Sequence, residues 1–357
     1  MSGARSIGQQ AISEIVSLWK VAPSKTIRRD DGFDWWPGDF KVSVDAHQRK
    51  DGREPETWWV TVRTDFLKDV PIADGKFVRL AAATSRFCTS TYAWVYPPAE
   101  AWAAHGQAGE RPKLWSANTA YVTSDNVNWL PGFLARMSIM QPINAQIQAA
   151  GMSDVLGGGV PDVSRPERLR IDGLDDILEM AAQVYVPMGS GASRWIGTDE
   201  FRFLADSWGR SDYCFGTGDD QGLTLETSFR SDSALIRLRT DEKHPQLGSG
   251  MLATLQLPTF GTPDSIANDC AFYNLLDTFW NDIPLFGCWH PSTSRGGQES
   301  PAFSSFVPNA LYSPGIASHT VLWLLDRARM VRRERFPQLE DKPMPQILND
   351  RQRGEAQ

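Results

Sequence analysis

One order of predicted elements runs through this chain twice, and that repetition limits the folds open to it more than any single motif does. In the first half, Ile12, Ile15, Val16 and Trp19 fall at i, i+3, i+4 and i+7, the spacing of one apolar helix face, before Pro23 stops the run. Strand patterns follow at 39–46, where Phe40, Val42 and Val44 alternate with polar residues, at 58–65, built on Val60 and Val62, and at 77–83. Pro97 and Pro98 introduce a short helix at 99–104, and a strand at 114–122 and a long helix at 128–150 complete the half. Beyond a segment rich in Gly and Pro, the order returns. A helical stripe on Leu174, Ile177, Leu178 and Ala181 precedes strands at 223–229, 235–240 and 251–257. A helix at 266–280, strands at 285–290 and 302–307, and a helix at 316–333 follow. The helix predicted at 199–208 has no counterpart in the first half.

Short segments recur in the same order. Val62-Arg63-Thr64-Asp65 matches Leu238-Arg239-Thr240-Asp241, Gly75-Lys-Phe-Val-Arg-Leu matches Gly250-Met-Leu-Ala-Thr-Leu, and Ala120-Tyr121-Val122 matches Ser305-Phe306-Val307. Three ordered matches favour an ancient duplication over two unrelated domains. The expectation is an α+β protein of two tandem α-β-β-β-α-β-β-α modules, each an antiparallel sheet packed with helices. The boundaries fall at 1–150, a linker at 151–170 around Gly157-Gly158-Gly159, a second module at 171–336 and a loose polar tail at 337–357.

Composition narrows the function. A length of 357 residues accommodates two domains, and the net charge of -7, with basic residues interspersed among acidic ones, offers no stripe for nucleic acid. Apolar runs are too short for a membrane span of about 20 residues, and the N-terminus has no signal-peptide pattern. Cys88, Cys214, Cys270 and Cys288 form no CxxC pair, which points to reduced thiols and a soluble cytoplasmic protein.

The repeated order resembles the type III secretion chaperone-like fold, a group that includes the YbjN-like bacterial proteins. The second half carries the resemblance more closely, in Phe286-Gly-Cys-Trp-His and in Ser305-Phe-Val-Pro-Asn-Ala-Leu-Tyr-Ser-Pro-Gly before a long helix. The resemblance implies a chaperone-like or adaptor protein that binds another protein on paired modules. Here it also implies an intramolecular pseudo-dimer, with the chain a monomer or a weak homodimer. It supplies no catalytic or metal motif.

Read singly, the chemistry-bearing residues support no reaction. Cys288 and His290 share a strand face, but a structural zinc needs four ligands and no second pair stands near; His244 and His319 are distant. Phe215-Gly-Thr-Gly-Asp-Asp-Gln-Gly fits neither P-loop nor EF-hand spacing and reads as a turn. Ser193, Ser249 and Ser304 lack a nucleophile elbow and an adjacent histidine base. No catalytic residue, metal or cofactor is assigned. The partner-binding candidates are Phe33, Trp35 and Trp36, in what should be a loop before the first strand, together with Arg63, Arg239 and Trp289. The two arginines are weighed against simple salt bridges with neighbouring acids, and the aromatic loop against folding over its own core. The competing functions are an enzyme, using Asp219, Asp220 and His290 at the interface of the halves, and a subunit of a larger assembly.

Overall fold

A computed structural model describes residues 6–355 apart from 22–25, 50–55, 72–79, 81–83, 85–87, 96–111, 162–178, 180, 183–190, 260, 280–282, 294–296 and 339–341. The protein is α+β, with helices and two antiparallel sheets. Its chain divides into two compact units. The predicted strand at 77–83, except Leu80, and the helix at 99–104 lie outside the described residues, as does most of the helical stripe near 174–181.

The first unit opens with α1 (Ile7–Leu18), started by a capping box in which the Ser6 hydroxyl accepts the Gln9 N–H and the Gln9 side chain accepts the Ser6 N–H. Its sheet has the spatial order β1-β2-β3-β4-β6-β5. The strands are β1 (Thr26–Arg29), β2 (Gly32–Trp35), β3 (Val42–Gln48), β4 (Trp58–Leu67), β5 (Thr91–Val95) and β6 (Lys113–Val122). The hairpin of β1 and β2 is a correction to the sequence reading, which left residues 33–37 in a loop. Phe33 and Trp35 are strand residues facing Val44 and Val42. Only glycine fits at position 32, because a Cβ there would lie 1.9 Å from the Val44 carbonyl oxygen.

The predicted helix at 128–150 is two helices, α2 (Leu130–Ser138) with Pro131 in its first turn and α3 (Met140–Leu156). Because α3 continues through Gly151 to Leu156 and ends at Gly157, the expected linker begins later than 151. One sheet face, carrying Val42, Val44, Val60 and Val62, packs under α1, α2 and α3. A buried polar knot sits within it. Gln141 Nε2 donates to the Val62 carbonyl and to Asn118 Oδ1, both at 3.2 Å, while Thr64 Oγ1 donates to Gln141 Oε1. Asn118 Nδ2 in turn donates to the Thr89 carbonyl at 2.9 Å.

The second unit has α4 (Glu200–Trp208), β7 (Arg210–Ser211), β8 (Cys214–Gly218), β9 (Gly222–Phe229), β10 (Asp232–Arg239), β11 (Lys243–His244) and β12 (Gly248–Gln256). After these come α5 (Pro263–Phe279), β13 (Cys288–Thr293), β14 (Glu299–Pro308), α6 (Ile316–Arg335) and α7 (Met344–Glu355). Its sheet order is β13-β14-β12-β10-β9-β8-β7, with β11 paired to β12. Apart from the two-residue strands β7 and β11, this repeats the first sheet strand for strand: β8 stands where β1 stands, and β12 where β4 stands. Helix α4, thought to lack a counterpart, precedes its sheet as α1 does.

Two particulars differ from the expected module boundaries. Asn274–Phe286, which includes the end of α5, belongs to the first unit, and Thr84–Cys88 belongs to the second. Each segment lies between the fourth and fifth matched strands of its own half. The tail is not loose either, since α7 packs against β9 and β10 with Met344 and Ile347 buried. Among the described residues no helix is long and apolar enough to cross a membrane.

Candidate partner-binding groove

Strand β1 lies at an edge of the first sheet, and no strand flanks its outer side among the described residues. Beside it, α1 presses Ala11 and Ile15 into the core and leaves Ile12 and Val16, one turn apart, half-buried towards the strand. The result is a groove of about 420 Å³. Ile12, Val16, Val21 and Phe33 form its apolar lining, and Gln9, Ser13, Thr26, Arg28, Arg29 and Asp30 its polar one. Arg28 pairs across the hairpin with Phe33, so its side chain belongs to the groove face, whereas Arg29 borders the groove but sends its guanidinium to the acids of the opposite face.

That opposite face of the sheet carries charge. Arg29 reaches Asp45 at 2.5 Å and Asp34 at 3.2 Å, Arg63 reaches Asp45 at 3.2 Å, and Ser43 Oγ donates to Asp34 at 2.7 Å. The Arg63 guanidinium also lies 4.5 Å from the Trp115 ring centroid. Asp31, Asp45 and His47 bring their ligand atoms within 4.8 Å of one another. Asp45, the buried member, is already held by two guanidinium groups, which leaves it a poor ligand for a cation.

The remaining predicted residues are scattered. Trp35 and Trp36 are buried at 2% and 5% exposure, Phe33 at 2% and Trp289 at 0%, so their aromatic bodies fill cores and none is a surface anchor. Trp35 stacks on Trp19, and Phe33 reaches the candidate site only as groove lining. Arg239 holds Asp241 with two bonds, at 3.1 and 2.6 Å, and Glu242 at 2.9 Å, so both arginines form the salt bridges weighed against a partner role. Their supposed equivalence does not survive: Arg63 is on β4 and Arg239 on β10, strands that occupy different places in the two sheets. The Gly-Asp run is a turn only in its second part, where Asp219 Oδ1 accepts the N–H groups of Gln221 and Gly222; Phe215–Gly218 is the end of strand β8, paired with β9.

One pairing escaped the sequence reading. His290 Nε2 lies 2.8 Å from Ser304 Oγ, and Nδ1 lies 2.9 Å from the Pro291 carbonyl, so Ser304 does have a histidine beside it. Only the register of β13 on β14, with Cys288 opposite Ser304, could have revealed this. Ser304 is completely buried and both ring nitrogens of His290 have partners, an arrangement that fills a core and offers no open nucleophile. Arg28, Ile12 and Val16 are the groove residues that sequence reasoning missed as a site; their signal was an apolar helix face wider than one buried stripe. Comparison with protein-family models, with curated proteins and with solved structures found no match, so the groove is read from its own geometry.

Proposed function

We propose that this chain is a non-catalytic protein-binding protein, chaperone-like or adaptor-like, that captures an extended segment of a partner protein along the β1 edge. The observation that carries the reading is the groove itself, with a strand edge on one side that no described strand pairs with and the apolar residues Ile12, Val16, Val21 and Phe33 below. An edge strand supplies main-chain hydrogen bonds and the adjoining pocket selects alternate side chains of the added strand. The second unit runs helix, four strands, helix, two strands and two helices once β7 and β11 are set aside, one strand and one final helix more than the secretion-chaperone-like order. That likeness supports the reading, as does the matching strand order for an intramolecular pseudo-dimer. The four cysteines are free thiols, in keeping with a cytoplasmic setting.

The test is capture from native lysate by the tagged full chain, beside a Val16→Asp variant whose circular dichroism and melting temperature match the wild type. A partner whose affinity falls roughly tenfold in the variant supports the reading, in line with loss of a central apolar contact. A partner held equally by both places the contact elsewhere.

A further inference from the structure

Main-chain hydrogen bonds hold the segment that begins at Lys342 to the second unit. The N–H of Lys342 donates to the Arg230 carbonyl at 3.1 Å, the Met344 N–H donates to the Asp212 carbonyl at 2.8 Å, and the Ser228 hydroxyl donates to the Lys342 carbonyl. Between the two donating residues stands Pro343, which has no N–H to leave unmatched and suits the start of a helix. Arg230, in the left-handed conformation at φ 62° in the β9–β10 turn, also lays its guanidinium 4.0 Å above the Phe336 ring. Two hairpin turns therefore grip Lys342 and the first residue of α7, Met344, on either side of Pro343, and α7 buries Met344 and Ile347 one turn apart against β9 and β10.

Few contacts among the described residues hold α7 itself. Twelve residues are too few for a stable helix in water, so its helicity depends on docking. Among the described side chains of α7, two buried apolar ones secure that docking, and the Lys342–Asp350 ion pair at 3.0 Å is internal to the segment. We infer that this end of the second sheet is a docking site for a Lys-Pro-Met stretch leading an amphipathic helix, filled in cis by the chain's own tail and able to exchange it. The tether keeps the tail at an effective concentration on the order of millimolar, so a free segment of the same pattern competes at comparable concentration.

Hydrogen exchange on the full chain tests this, with a synthetic peptide of residues 337–357 as the probe. Amides of α7 should exchange at least about a hundredfold faster than those of α6, because they open locally. Adding the peptide at roughly millimolar concentration should accelerate α7 exchange further and saturably, as it blocks reclosing. A peptide carrying Met344→Asp and Ile347→Asp should have no effect. Exchange of α7 at the rate of α6, or indifference to the wild-type peptide, would overturn the inference and make α7 a permanent part of the unit.

Discussion

Thr91 and Asn274 stand 183 positions apart and share a buried hydrogen bond of 2.8 Å, from Thr91 Oγ1 to Asn274 Oδ1. Asn274 begins the segment that the first unit takes from the second half of the chain, and the same segment pairs Leu285 with Thr119 through two backbone bonds and packs Phe286 against Phe133. A fragment ending near residue 184 therefore lacks part of its own core. Expressed alone, it should be aggregated or molten, and a covalent copy of 274–286 or the complementary fragment should restore cooperative unfolding. In the full chain, Asn274→Ala should cost about 1–3 kcal/mol by leaving Thr91 without its acceptor. Denaturant midpoints measure both.

Trp35→Ala should cost roughly 3–5 kcal/mol, since it opens a cavity beneath Trp19. Loss of a partner in that variant reports unfolding and not a lost contact. The check is a thermal melt run beside the capture assay, with Val16→Asp as the folded comparison.

Among the four cysteines, Cys88 is half-buried, Cys214, Cys270 and Cys288 are buried, and burial pushes the Cys270 thiol far above its ordinary value. A thiol reagent at pH 8 should label Cys88 in the native state and the others only on unfolding. Labelling of Cys270 should stay limited by opening even at pH 9, because the thiolate is the reactive form. Peptide mapping of the labelled protein decides it.

Burial raises the carboxyl pKa of Glu200 against the lowering pull of the Gly315 N–H, and burial raises Asp269 against Arg335. A raised carboxyl pKa means that the folded state binds protons the unfolded state has released, so stability falls as pH rises through the window just above the ordinary carboxylate range. The second unit should thus gain stability on mild acidification from neutrality. Glu200→Gln should flatten part of that slope, as read from melting temperatures between pH 7 and pH 5. An unchanged slope would refute the assignment to Glu200.

Removing Asp45 leaves Arg29 and Arg63 facing each other at the sheet face without their shared acceptor. Asp45→Ala should destabilise by about 3 kcal/mol, with Arg63→Ala costing less because that side chain is partly exposed. A double-mutant cycle of Asp45→Ala with Arg63→Ala measures their coupling.

Periodicity made the long elements legible. The strands through Val60 and Val62, through Ile236 and Leu238, and the helix on Val321, Leu324 and Leu325 lie where the apolar pattern places them. It failed at Gly32–Trp35, where four residues bounded by Asp and Pro carry turn composition and only pairing with Val42–Asp45 makes them a strand. The tail misled for a similar reason. Its polarity is that of a solvated segment, while two apolar residues and three backbone contacts suffice to dock it. Arg63 and Arg239 share a tetrapeptide context without sharing a place in the sheet, because four residues are too few to set register. Of the groove only the helix side, Ile12 and Val16, left a trace in the sequence, since the groove itself exists only where α1 and the β1 edge meet.

Gln141 gives the first sheet a means of proofreading its own assembly. Its amide meets Val62 and Thr64 on one strand and Asn118 on the next, and all three come within its reach when Val62 stands opposite Asn118. A slip of two residues between β4 and β6 would keep every apolar side chain on the core face, but it would carry Asn118 away from Gln141 and leave their buried polar groups unmatched. Oil alone would accept several alignments of these strands; one glutamine admits a single alignment.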